Sequence, residues 1–162
     1  MGHVLTWDEA FTEREHMRQQ GRPLVFTNGH FDLLHVGHLD YLEHAREWGA
    51  ALFVGINGDD ATTHLKGTGR PLVPAIERAR LLAALVCVTA SIIFEQDTAH
   101  DLIDLLRPDF YVKGGDYANK PLPERSLVES YGGRVILIDL VPERSTTSLI
   151  QRIRSLPSDE GG

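Results

Sequence analysis

Two histidines flank a glycine in the run His35-Val36-Gly37-His38, directly after an apolar stretch and at the start of a segment with helical spacing. The free N–H groups and positive dipole end of a helix N-terminus favour phosphate, and Gly37 lets a ligand come close to the backbone. His35 and His38 stand three positions apart, so both imidazoles can face a ligand over the first helical turn, each donating an N–H to a phosphate oxygen. A lone histidine here would read as a helix cap or a surface residue. A pair around glycine, after an apolar run, reads as phosphate chemistry.

The cations repeat the theme. The chain holds three lysines, and two of them immediately precede glycine in loops, Lys66-Gly67 and Lys113-Gly114. Arg70 closes the run Lys66-Gly67-Thr68-Gly69-Arg70-Pro71, and Lys113 leads into Gly114-Gly115-Asp116-Tyr117, a turn of the kind that wraps phosphates or a base. Turn geometry alone is the plainer reading of that segment. Later, Arg144-Ser145-Thr146-Thr147 places one guanidinium and three hydroxyls at the start of the last helix, a set suited to a triphosphate tail. Carboxylates lie nearby at Asp32, Asp59, Asp60 and Asp116, but no separated acid/base pair stands out. A nucleophile that is already ionised needs none.

Several chemistries are excluded by what is missing. The chain has no G-x-x-x-x-G-K-[ST] loop, no G-x-G-x-x-G after the first apolar run and no G-x-S-x-G elbow. Its Cys and His residues lack structural zinc spacing, and His35-x-x-His38 lacks the i, i+4 spacing of a zinc protease pair.

These residues must be positioned by the elements around them. Apolar runs at 24–27, 51–56, 91–94, 109–113 and 134–138 read as five buried strands. Helical segments alternate with them. The first, 7–20, carries sparse apolar residues (Phe11, Met17) and is expected on the surface; 37–48 carries Leu39, Leu42 and Ala45 and stops at Gly49. A short helix follows Asp59, and Pro74 opens another whose stripe is Ile76, Ala79, Leu82 and Ala83. Asp97 is placed to cap a helix ending before Pro108; 121–131 reads as a further helix, and Ser145 caps the last, with Leu149, Ile150 and Ile153 on one side. The alternation predicts an α/β fold, a Rossmann-like open parallel five-stranded sheet with helices on both faces, whose ligand sits beyond the carboxyl ends of the strands where their order reverses.

Composition bounds the rest. The chain has 162 residues and a formal net charge of −7, which argues against coating nucleic acid or an anionic membrane. Its length fits one domain over 1–156, including the helix at 7–20, followed by a disordered tail at 157–162. The single cysteine, Cys87, excludes an internal disulfide; together with the lack of a signal peptide or membrane span, it leads to the expectation of a cytoplasmic protein.

His35-Val36-Gly37-His38 is similar to the H-x-G-H motif of the cytidylyltransferase-like nucleotidyltransferases, and Arg144-Ser145-Thr146-Thr147 resembles the second, C-terminal signature of that superfamily. Within it, Thr27-Asn28-Gly29, Phe31-Asp32-Leu33-Leu34-His35, Lys66-Gly67 with Arg70-Pro71, and Val112-Lys113-Gly114-Gly115-Asp116-Tyr117 look like the adenylyltransferase domain of the bacterial heptose biosynthesis enzymes. In many bacteria that domain is fused behind a sugar kinase, so the resemblance, covering residues 5–155, implies a stand-alone form with a separate heptose kinase and phosphatase in the same pathway.

The implied reaction is transfer of AMP from ATP to D-glycero-D-manno-heptose 1-phosphate, giving pyrophosphate and ADP-heptose, a lipopolysaccharide precursor. With that reaction, His35 and His38 are assigned as phosphate donors in catalysis, Lys66 to the incoming sugar phosphate and Lys113 to charge balance between the two substrates. His30, Phe31, Gly37, Asp116, Arg144, Ser145, Thr146 and Thr147 would bind the nucleotide, and Asn28, Asp32, Lys66 and Arg70 the sugar phosphate. Mg²⁺ is expected with ATP, bridging phosphates, its protein ligands unassigned. Position 30 is a departure, since relatives often carry a small or uncharged residue there. Oligomeric state stays open, with a homodimer through the first helix as one outcome. Rival readings are a CTP-dependent glycerol 3-phosphate cytidylyltransferase, a cofactor adenylyltransferase and a nucleotide-sensing module without turnover; the Lys66 to Pro71 and Lys113 to Tyr117 segments favour the heptose branch over the first.

Overall fold

A computed structural model describes residues 1–140 and 145–157. Element order along the chain is β1 (His3–Leu5), α1 (Trp7–Gln19), β2 (Leu24–Gly29), α2 (Val36–Arg46), β3 (Ala51–Asn57), α3 (Asp59–Lys66), α4 (Ala75–Ala83), β4 (Ala90–Phe94), α5 (His100–Leu106), β5 (Phe110–Gly114), a 3-10 turn (Gly115–Ala118), α6 (Arg125–Ser130), β6 (Arg134–Ile138) and α7 (Thr146–Arg154). The strands form one parallel sheet of six in the order β1-β4-β3-β2-β5-β6.

The period-two pattern of each strand sends alternate side chains to opposite faces. Leu24 and Phe26 of β2 join Phe53, Ile92 and Tyr111 beneath α1, α5 and α6, where Ala10, Met17, Leu102, Leu106 and Val128 are buried. Val25, Leu52, Val54, Ile56 and Val112 face the other way, against Leu42 and Ala45 of α2 and Ala79 and Leu82 of α4. Helices on both faces explain why β3 is buried along its whole length.

The chain builds outward from β2 through β3 and β4, then returns to place β5 on the other side of β2. The carboxyl ends of β2 and β5 are therefore the switch point, and Gly29 and Gly114 end those two strands side by side.

Five local expectations are corrected. The sheet has six strands, because His3–Leu5 pairs with Ala90–Ile92, and three residues are too few to carry a periodic signal. Helix α1 is not merely superficial: Arg14 is buried with Ala10 and Met17, and its Nε and Nη2 donate to the carbonyls of Leu106 and Arg107 at 2.9 and 2.8 Å, closing the end of α5. Asp97 does not cap α5, whose N-cap is Ala99; the Asp97 carboxylate instead meets His64 Nδ1 at 3.0 Å. The segment 121–131 is helical only over Arg125–Ser130, and Ile76 lies 54% exposed, because Arg78 rather than an apolar residue completes the inward face of α4.

Candidate active site

The loop after β2 folds against steric preference. Phe31 and Leu33 adopt φ of 49° and 56°, a left-handed backbone that non-glycine residues rarely take. Between them, Asp32 turns inward and its buried carboxylate accepts from Arg70 Nε at 2.7 Å and from the N–H groups of Leu72 and Val73 at 2.8 and 2.9 Å. Burial alone would raise its pKa; the Leu72 N–H, Arg70 and the Val73 N–H outweigh that and hold the carboxyl below 3.8. One side chain thus fastens the loop at 30–35 to the loop at 67–73.

Helix α2 then begins with histidines in the place of the usual hydroxyl and carboxylate. His35 is the N-cap, and its Nδ1 accepts the Gly37 N–H at 3.1 Å, while His38 Nδ1 accepts the His35 N–H at 3.4 Å. A neutral imidazole that accepts at Nδ1 carries its proton on Nε2. Capping and phosphate binding are therefore compatible, because the cap sets both rings as Nε2–H donors. The rings stack at 3.9 Å between centroids, and Phe31 lies 5.3 Å from the His38 ring. Burial, then the neighbouring His35, pushes the His38 pKa down to about 4, so the ring is neutral at pH 7.

From β5, Lys113 reaches the switch point. Its buried Nζ donates to the Asn28 carbonyl at 3.1 Å and lies 5.0 Å over the Tyr117 ring, while Tyr111 donates to Asn28 Oδ1 at 2.6 Å. Burial lowers the Lys113 pKa against the pull of Glu124 and Asp116, neither of which is within ion-pair reach. A Cβ added at Gly114 would stand 2.8 Å from Asp116 Oδ1 and 2.9 Å from Leu140 Cδ1, so a side chain there would have to displace the ends of those two side chains.

Helix α7 closes the pocket. Ser145 caps it by accepting the Ser148 N–H at 3.1 Å, and the Thr146 hydroxyl donates to the Asp32 carbonyl at 2.8 Å.

A second anchor lies behind the loops. Arg78 is 1% exposed; its Nη1 donates to the carbonyls of His30 and Asn57 at 2.6 and 2.9 Å, its Nε to that of Val73 at 2.8 Å, and its Nη2 to Asp59 Oδ1 at 2.8 Å. Nothing in the sequence pattern distinguishes this guanidinium from the exposed Arg80 two residues on.

The resulting cavity, about 410 Å³, is lined by Asn28, His30, Phe31, Asp32, His35, Gly37, His38, Lys66, Arg70, Lys113, Asp116, Ser145, Thr146 and Thr147. Every candidate site residue from the sequence that is among the described residues is brought to it, and Arg144 lies outside the described residues. Sequence reasoning missed Tyr41 in its lining. Tyr41 could have been found, since it stands one helical turn beyond His38; its hydroxyl donates to the Val112 carbonyl at 3.0 Å and lies 2.8 Å from Thr27 Oγ1. A larger cavity, about 750 Å³ beside β1, is lined by Asp8, Glu9 and Glu13, a setting that repels a polyphosphate.

Among the described residues no three metal-ligating side chains cluster, and no helix is long and apolar enough to cross a membrane.

The cytidylyltransferase-like family model matches residues 26–157. The chain is 51% identical to the bifunctional protein HldE of Syntrophotalea carbinolica over 93% of its own length and 32% of that protein's, and 48% identical to that of Magnetococcus marinus over 93% and 31%. It thus spans about a third of the length of these curated relatives. Among solved structures, a lipopolysaccharide core biosynthesis protein from Thermoplasma volcanium superposes with a TM-score of 0.60 at 24% identity, covering 75% of this chain and 98% of that one. Pantoate-beta-alanine ligase from Francisella tularensis gives 0.61 at 15%, covering 98% and 74%. These two likenesses are of fold.

Proposed function

The chain belongs to the cytidylyltransferase-like family, and from that premise we propose that it is a sugar-phosphate adenylyltransferase, transferring AMP from ATP to D-glycero-D-manno-heptose 1-phosphate and releasing pyrophosphate. The observation that carries this reading is the convergence of the His35–His38 pair, Lys113 and the Lys66 to Arg70 loop on one cavity at the β2/β5 switch point. Identity near 50% to proteins named bifunctional HldE, across nearly the whole chain, supports the heptose branch over the glycerol phosphate one. The same relatives carry the matching stretch within a longer chain, which lends no support to a separate kinase.

In this mechanism a phosphate oxygen of the sugar phosphate attacks the α-phosphorus in line. The new O–P bond forms as the bond to pyrophosphate breaks, and no proton need be removed from the nucleophile. Catalysis is then positioning and charge stabilisation. We assign His35 and His38, through Nε2–H, to the nucleotide phosphates, where neutral donors stabilise charge growing on the α-phosphoryl oxygens. Ser145, Thr146, Thr147 and the N-terminus of α7 receive the departing pyrophosphate, with Arg144 by the family pattern. Lys113, between the two halves, offsets the repulsion of two anionic substrates, and Lys66 and Arg70 hold the incoming phosphate. Asp32, whose carboxylate is committed to Arg70 and the Leu72 and Val73 N–H groups, acts through them as a positioning residue.

Mg²⁺ enters with ATP as part of the substrate. The pocket residues suit that role better than a protein cage, since Asp116 already pairs with Lys120 at 3.1 Å and Asp32 is occupied.

The test is pyrophosphate release with Mg²⁺, comparing ATP plus each anomer of heptose 1-phosphate with CTP plus glycerol 3-phosphate. Release with ATP and one heptose anomer is expected. Release with only the CTP pair would overturn the substrate assignment.

A further inference from the structure

Resting on the reading that this pocket binds two phosphorylated substrates, we propose that His30 determines acceptor binding. Its Nε2–H would hydrogen-bond the acceptor's phosphate in a subsite shared with Lys66, Arg70 and Lys113, apart from the His35–His38 pair.

Attachment places His30 on that side. Its Nδ1 lies 2.9 Å from Thr62 Oγ1 on α3, the helix that ends in Lys66, and its carbonyl accepts from Arg78 of α4 at 2.6 Å. His35 and His38 belong to α2 and stack on each other. The ring of His30 is thus held by the elements that carry the Lys66 to Arg70 loop, although His30 adjoins Phe31 in sequence.

Hydrogen bonding ties the nitrogen that donates to the direction of the Thr62 hydroxyl. The Thr62 hydroxyl has two acceptors in reach, the Asn57 carbonyl at 3.4 Å and His30 Nδ1 at 2.9 Å. When the hydroxyl proton goes to Nδ1, the shorter contact, the ring proton sits on Nε2, left for a ligand; when it goes to Asn57, Nδ1 carries the ring proton, and the proposal takes the first arrangement.

Charge supplies the ligand class. Lys66, Arg78, Lys113 and Arg70 all act on this ring, whereas on His38 the acting charge is His35. Two of those four cations are balanced, Arg78 by Asp59 at 2.8 Å and Arg70 by Asp32 at 2.7 Å. For Lys66 and Lys113 no carboxylate lies within ion-pair distance among the described residues. Two unbalanced ammonium groups match a phosphate monoester dianion. Burial, with those same cations, depresses the His30 pKa to about 4, so the ring adds a donor without adding a third mutually repelling charge.

The test has two arms. His30→Ala and the volume-preserving His30→Gln are assayed for KM of heptose 1-phosphate and of ATP separately; the expected result is an acceptor KM raised about 10-fold in His30→Ala, partly restored in His30→Gln, with the ATP KM within about twofold of wild type. In the second arm, the histidine ring resonances are titrated with inorganic phosphate while a non-hydrolysable ATP analogue occupies the nucleotide site. Phosphate is expected to shift the His30 ring and raise its pKa, leave His38 unmoved, and bind more weakly to Lys66→Ala. A rise in ATP KM instead, or phosphate perturbing His38 and not His30, overturns the proposal. If the wild-type protein does not turn over heptose 1-phosphate, the proposed function fails, while the phosphate titration still decides the role of His30.

Discussion

Thr146 and Asp32 stand 114 residues apart in the chain, yet the Thr146 hydroxyl donates to the Asp32 carbonyl at 2.8 Å. This bond ties the N-terminus of α7 to the loop that carries Phe31 and His35, so the two ends of the nucleotide site are set in register by this contact. Thr146→Val keeps the shape and removes the donor. We expect kcat/KM for ATP to fall about 10-fold with little change in Tm, read by pyrophosphate release and thermal melts.

The same residue carries a stability prediction through its other end. The Asp32 carboxyl is held below its ordinary value of 3.8, so its contribution is complete above that pH and is lost as pH falls through the lower folded value. Asp32→Asn should cost about 3 kcal/mol at pH 7, where a buried partner of Arg70 is lost, and should lose less than wild type on acidification below pH 3.8. Urea unfolding at neutral and acid pH measures both.

For His38 the unfolded ring titrates near 6.5 and the folded ring at about 4. Protonation therefore favours the unfolded chain, and the stability the neutral ring contributes is lost as pH falls from 6.5 through 4. Ring titration by NMR should return the low value in the free protein. His38→Ala should reduce turnover about 10²-fold while the fold survives, and a near-normal rate would falsify its catalytic assignment.

Lys113 should separate stability from activity. Its ammonium is buried among neutral acceptors and depressed by burial, so Lys113→Met relieves desolvation in the folded state. Thermal melts should show Tm unchanged or higher, with turnover down about 10²-fold. A marked fall in Tm would make Lys113 a structural residue.

Arg78→Lys tests the hidden anchor. An ammonium cannot reach the carbonyls of His30, Asn57 and Val73 and the Asp59 carboxylate together, so about 3 kcal/mol of stability should go, measured by urea unfolding.

Much of this site is legible in the chain, because the signals are local. Short apolar runs mark five of the six strands, and the pattern of His35, Gly37 and His38 after the first of those runs marks a helix start that can meet phosphate. Lysines placed before glycines mark the carboxyl ends of elements, not the loops expected, since Lys66 is the last residue of α3 and Lys113 lies within β5. What was not legible is whatever depends on partners distant in sequence. Arg78 looks like Arg80 until His30, 48 residues before it, supplies a carbonyl. Asp32 looks like a ligand-facing carboxylate until Arg70, 38 residues on, takes it.

The sequence by itself determined the α/β alternation, the switch-point location of the site and the residue types that fill it, since strand period, helix capping and turn chemistry act over a few residues. Only the tertiary structure decided that the cap hydrogen bonds leave the proton on Nε2 of His35 and His38, that His30 hangs from α3 rather than α2, and that a short edge strand extends the sheet to six. Those outcomes turn on hydrogen-bond directions between atoms brought within 3.5 Å by packing, a distance that spacing along a chain does not encode.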